Sequence, residues 1–125
     1  MKEFKVFVQD KAGELARVTE ALSNQAVNIK AIASEGGHES SFLRIVTGDV
    51  VTTEKAFKLA GLKYEMNEIL TVDLLDRPGE LAKIARRLAR AGVNVASIYI
   101  LGSKNGKTEV AMTVSDVDRA RTALR

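Results

Sequence analysis

The chain has 125 residues, 13.6 kDa, 46% hydrophobic and 28% charged, with nine glycines and one proline. That is the composition of a globular chain the size of one ordinary domain or two very small ones. With no cysteine, disulfides, thiol nucleophiles, iron–sulfur clusters and cysteine-ligated zinc are excluded, and one histidine excludes an imidazole-rich metal site. The formal net charge of +3 is uneven: residues 1–66 carry nine Lys/Arg and nine Asp/Glu, residues 67–125 ten and seven.

The opening residues alternate apolar and charged side chains, so they form no continuous apolar segment of a signal peptide. No apolar run approaches the roughly 18 residues that cross a bilayer, and a soluble cytoplasmic protein is expected. Phe4, Val6 and Val8 alternate with Lys5 and Gln9, which predicts a strand. After a D-x-x-G turn, Leu15, Val18 and Leu22 recur at helical spacing as one core stripe. Two strands follow, 27–35 and 41–47, joined by a glycine-bearing turn holding His38, with Ser40 and Ser41 beside it. That serine–histidine neighbourhood lacks an orienting acid and is weak ground for a nucleophile. A second helix, capped by Thr52 or Thr53, holds Ala56, Phe57 and Ala60 and ends at Gly61, and a short strand follows near 63–67.

The order then repeats. Leu70, Val72 and Leu74 alternate as a strand, and Leu81, Ile84 and Leu88 form a second core stripe. Pro78 occupies a first-turn position and Gly92 a left-handed helix end. Strands 93–101 and 108–114 flank a turn with Asn105-Gly106, a strong hairpin signal, and Ser115 or Asp116 opens a last helix over 116–124. Residues 10–36 align with 76–102 at an offset of 66 without a gap, with ten of 27 positions identical. Two copies of one unit, 1–67 and 68–125, are therefore expected. The β-α-β-β-α-β order predicts an α+β ferredoxin-like sandwich in each, an antiparallel sheet with its helices on one face. The second copy stops before a last strand.

Asp10 and Asp76 precede the helices and can accept from their free N–H groups. Gly13 and Gly79 lack Cβ, so a ligand carboxylate can approach the bare N–H groups of each helix start. Asp10/Asp76 and the amide oxygens of Asn28/Asn94 can accept from an ammonium. The end of each unit's first strand and the start of its second are expected on the same side of the sheet, so the D-x-x-G turn and the Asn are expected to face one cavity.

D-R-P-G-E-L at 76–81, a helix of about a dozen residues and G-V-N-V at 92–95 resemble the ACT domain. The first copy shows D-K-A-G-E-L and A-V-N-I, with Ala12 and Ala26 in place of the proline and the glycine. The resemblance spans nearly the whole chain twice and implies a tandem ACT protein, a non-catalytic allosteric regulator. It implies amino-acid or related metabolite sites at the seam between units, involving Asp10, Gly13, Glu14, Leu15, Asn28, Asp76, Gly79, Glu80, Leu81 and Asn94. No cofactor or metal is implied, and any regulated enzyme or transcription partner is reached in trans.

Both alternating sets of 93–101 are largely apolar, and an unpaired sheet edge needs protection. A homodimer or larger homo-oligomer is expected from both features. A second reading uses the sheet and the basic face Lys83, Arg86, Arg87 and Arg90 to bind protein or RNA. Against nucleic acid, six aromatics and no tryptophan leave that face without a stacking platform. A small acylphosphatase-like enzyme is disfavoured, since Arg77 is the only first-turn arginine and the first copy has Lys11 there.

Overall fold

A computed structural model describes residues 1–36 and 41–125; His38 and Ser40 lie outside the described residues. The chain divides into two compact units, Met1–Asn67 and Glu68–Arg125. Unit 1 runs β1 (Lys2–Val8), α1 (Glu14–Asn24), β2 (Ile29–Glu35), β3 (Ser41–Thr47), α2 (Val50–Leu59) and β4 (Lys63–Glu68). Its four-stranded sheet has the order β2-β3-β1-β4. Unit 2 runs β5 (Leu70–Leu75), α3 (Glu80–Arg90), β6 (Val95–Lys104), β7 (Lys107–Val114) and α4 (Val117–Ala123), with the order β5-β7-β6. Each is the expected α+β unit, and the second sheet has three strands.

The helical stripes are narrower than their periodicity suggests. Val18, Leu22, Ile84 and Leu88 are buried, but Leu15 and Leu81 are 55% and 44% exposed. Both stand in the first turn of their helices and are not core residues. In unit 1 the buried face collects Phe4, Val6, Leu22, Ile45 and Phe57, and β4 adds Tyr64. The Phe4, Phe57 and Tyr64 ring centroids lie 5.5–5.9 Å apart in edge and tilted arrangements, geometries that add to the burial itself. The buried set of unit 2, including Leu74, Ile84, Leu88 and Met112, contains no ring.

Helix ends correct several expectations. α1 and α3 are capped by Gly13 and Gly79 in left-handed conformations, φ 92° and 89°, rather than by Asp10 and Asp76. Pro78 therefore precedes the cap and is not in the first turn. Asp49, not Thr52 or Thr53, caps α2 by accepting from the Thr52 N–H at 3.0 Å. Thr53 instead donates to the Asp49 carbonyl at 2.7 Å. Asp116 caps α4. At the C-termini, the Val27 N–H donates to the Leu22 carbonyl and the Val93 N–H to the Leu88 carbonyl, 3.0 and 2.9 Å, each past a left-handed residue. That residue is Gly92 in α3 but Ala26, φ 56°, in α1. An L-residue in this conformation costs about 1–2 kcal/mol.

On the face of sheet 1 away from the helices, Glu3 is fully buried. Its Oε1 accepts from Arg44 Nη1 at 2.9 Å and Asn67 Nδ2 at 3.1 Å. Lys5 Nζ sits 4.2 Å from the centre of the Phe42 ring. In unit 2, a bulge between Val95 and Ser97 shifts the alternation of β6, so Ile98 and Ile100 stand opposite Met112 and Val110. These isoleucines are 46% and 69% exposed, whereas Tyr99 and Ala111, on the other face, are buried. Among the described residues no helix is long and apolar enough to cross a membrane.

Candidate functional site

The strand registers decide which candidate residues can meet. In unit 1, Val8 stands opposite Ser41 and Glu35 opposite Phe42, so the end of β1 neighbours the end of β2. Ile29, at the start of β2, pairs with Thr47, which pairs with Lys2. Asn28 therefore lies at the opposite end of the sheet from Asp10 and Gly13, on the order of 20 Å away at about 3.3 Å per strand residue. Unit 2 repeats this: Val95 pairs with Val114, while Leu75 and Lys104 both pair with Lys107. The expectation that the Asn and the D-x-x-G turn of one unit share a cavity is overturned. A helix carries the chain back after the first strand, so the second begins where the first began. The Asn94 backbone is tied to the start of the last helix: its N–H donates to Ser115 Oγ and its main-chain carbonyl accepts from the Ser115 N–H.

The turn in unit 1 meets Gly36 instead. The Asp10 carboxylate lies so close to this glycine that a Cβ would come within 2.9 Å of Oδ1. Only glycine fits. Around this contact a cavity of about 170 Å³ is lined by Asp10, Leu15, Ser34, Gly36, Ser41 and Phe42, among others. Ser41 is 6% exposed, and its Oγ has no hydrogen-bond partner among the described residues. Such a group costs about 1–3 kcal/mol unless something pairs with it. Gly13 has open space where a Cβ would project. The first N–H groups of α1 have no intrahelical acceptors and carry partial positive charge.

Glu14 completes the turn. Its carboxylate accepts from Arg17 Nη2 at 2.9 Å and from the Gln9 N–H at 3.3 Å. Hydrogen bonding from Arg17 holds it below the usual carboxylate range, against the upward pull of burial. Glu80 in unit 2 is held down likewise by Arg77 at 2.6 Å, with Lys83 at 3.3 Å.

The equivalent contacts in unit 2 differ. The Asp76 N–H is committed to the Gly106 carbonyl at 2.9 Å, and Gly102 has open space around its Cα. Thr108, opposite Leu74 as Ser41 is opposite Val8, shares a 3.0 Å hydroxyl hydrogen bond with Ser103. Ser41 was visible in the sequence only as a neighbour of His38, and Gly36 only as a conserved step of the internal repeat. No cluster of His, Asp or Glu suited to a metal occurs among the described residues.

The model of the ACT domain matches residues 69–125. No curated protein matches the sequence. Among solved structures, a protein from Bacteroides thetaiotaomicron is similar over 98% of this chain and 85% of its own, at 25% identity and a TM-score of 0.88. The regulatory subunit of aspartate kinase from Thermus thermophilus, in a ligand-free form, is similar over 99% and 88%, at 18% identity and TM-score 0.70. The subunit from Thermus flavus covers the same shares at 20% identity and TM-score 0.63. The last two likenesses are likenesses of fold.

Proposed function

We propose that this chain is a non-catalytic regulator built from two ACT-type units, and that unit 1 holds a small amino acid or similar zwitterion beside its first turn. The observation that carries the reading is the Ser41 hydroxyl, without a hydrogen-bond partner among the described residues, in a cavity bounded by the Asp10 carboxylate and the first turn of α1. A free amino acid presents the complementary groups. Its carboxylate suits the bare N–H groups of the helix start, and its ammonium suits Asp10. Ser41 Oγ can donate to the carboxylate or accept from the ammonium. Leu15, exposed without a ligand, offers apolar cover to a small side chain.

The ACT match to unit 2 and the regulatory subunits of similar fold support a regulatory reading over an enzymatic one. The cavity is smaller than the roughly 300–1,000 Å³ of drug-sized sites, which suits a metabolite of a few heavy atoms. A few charge-assisted hydrogen bonds, less the cost of fixing the ligand, correspond to about −8 to −4 kcal/mol, micromolar to millimolar affinity. That range suits a sensor of metabolite pools.

Titration of the twenty amino acids, one at a time, into isotopically labelled protein tests the reading. At least one should shift the amide resonances of Gly13, Leu15, Gly36 and Ser41 at millimolar concentration, and Ser41→Ala should weaken it about tenfold. Folded protein whose resonances at this turn stay still with every amino acid would reject it.

A further inference from the structure

β5 is an edge of its sheet: it pairs with β7 on one side only. In an antiparallel strand, alternate residues turn their N–H and C=O groups outward, so about three of the six residues of β5 present an unpaired ladder. Beside this edge runs a groove of about 570 Å³ floored by Val72, Leu74 and Ile84 and closed at one end by Leu124. Its wall is α3, which presents Lys83, Arg86, Arg87 and Arg90.

The internal repeat shows the equivalent strand edge with a partner strand beside it. In unit 1 the same edge, β1, is flanked by β4. The corresponding groove there is walled by Gly61, Leu62 and Lys63, which lead into β4. The α1 residues equivalent to the four cations are Arg17, Glu20, Ala21 and Asn24, which sum to zero charge. On the helix face alone these positions carry no net charge in unit 1 and four positive charges in unit 2, although Lys11 and Lys63 in unit 1 and Asp73 and Glu80 in unit 2 bring both groove linings to the same net charge.

Two carboxylates, Asp73 and Glu80, also line the groove of unit 2. Glu80 is already neutralised by Arg77 and Lys83. Arg86, Arg87 and Arg90 have no ion-pair partner among the described residues. A second copy of this groove is a poor occupant, since pairing two β5 edges would bring two arginine walls together. No aromatic side chain lines the groove to stack a base.

We propose that this groove docks an extended acidic segment of another protein, which adds to β5 as a fourth strand. Its backbone would complete the ladder, its inward side chains would cover Val72, Leu74 and Leu124, and its carboxylates would meet Arg86, Arg87 and Arg90. The outcome is independent of any amino acid bound in unit 1.

A fluorescein-labelled octapeptide of alternating glutamate and valine tests this by anisotropy and by amide exchange. It should bind at least tenfold more tightly than its lysine–valine counterpart and protect amides within Thr71–Leu75 from exchange. The Arg87→Glu, Arg90→Glu variant should weaken it at least tenfold. Both positions are exposed, and raising salt on the unaltered protein should weaken binding in the same direction, independent of any substitution. Equal affinity for both peptides, no binding at millimolar concentration, or binding that leaves the β5 amides unprotected would overturn the proposal. So would full displacement by millimolar inorganic phosphate or tighter binding of polyuridine RNA, which point to a small-anion or a nucleic-acid site.

Discussion

Two copies of one sequence pattern finish differently. In unit 1, a ten-residue α2 and the strand β4 close the β1 side, and Phe57 and Tyr64 from these elements lock onto Phe4. Ala21 of α1 is buried there. In unit 2, α4 has seven residues, β5 has a free edge, and Arg87, the equivalent of Ala21, is exposed. Equivalent turns thus serve unlike surroundings. A residue's role follows from what covers it, not from its place in the repeat.

The largest expected effect separates unit 1 from any simple count of apolar contacts. Arg44→Ala removes the cation 2.9 Å from the buried Glu3 carboxylate and should cost up to about 3–5 kcal/mol, read as a lower urea midpoint. Arg44→Met combined with Glu3→Leu should recover most of that loss, because removing both charges also removes their desolvation cost. If the single substitution proves mild, the network contributes little to holding unit 1 together.

Leu22→Ala and Leu88→Ala compare equivalent buried positions, each expected to cost about 2–5 kcal/mol. The cost should be lower at Leu88, where the uncovered side lets neighbours and water relax into the space. Equal costs in thermal unfolding would mean that the open edge does not soften the second core.

The helix ends give smaller effects of opposite sign. Ala26→Gly relieves a left-handed alanine and should stabilise by about 0.5–1 kcal/mol, after the extra freedom that glycine gives the unfolded chain. Gly92→Ala should cost about 1 kcal/mol through the backbone alone, since an added Cβ would meet only Arg119 Nη1 at an ordinary 3.8 Å. Melting temperatures moving apart in these directions would tie the difference to this one conformation.

Acid dependence should be the mildest effect. The Glu14 carboxyl is held below its unfolded value, about 4.3. Its contribution is therefore fully present above that pH and is lost as pH falls through the depressed folded value. Glu14→Gln should flatten this part of the stability–pH curve without changing the plateau slope near neutrality. An unchanged acid limb would mean that the Arg17 and Gln9 hydrogen bonds do not favour the ionised carboxylate.

Much of this architecture could be read from the residues. Period-two alternation located β1 and β5, the repeat predicted equivalent elements, and Asn105-Gly106 located the β6–β7 turn. What escaped depends on contacts distant in sequence. Nothing local distinguishes Glu3 from an ordinary surface charge until Arg44 and Asn67 arrive beside it. A one-residue bulge in β6 reversed the faces of Ile98 and Tyr99, because strand alternation changes phase with any insertion. Leu15 kept helical spacing yet stands exposed at the rim of a cavity rather than in the core. The D-x-x-G turns were found, but their neighbour was Gly36 and not Asn28, a matter of chain direction rather than of residue type.

Ala26 offers a gauge of slack. Two sister turns adopt one awkward backbone shape, and only one retains the residue that adopts it without strain. The copy with the aromatic lock has absorbed the penalty, whereas the thinner copy retains its glycine. Exchanging these two residues between the copies should therefore be tolerated unequally, with the harm concentrated where the surrounding architecture has least stability to lose.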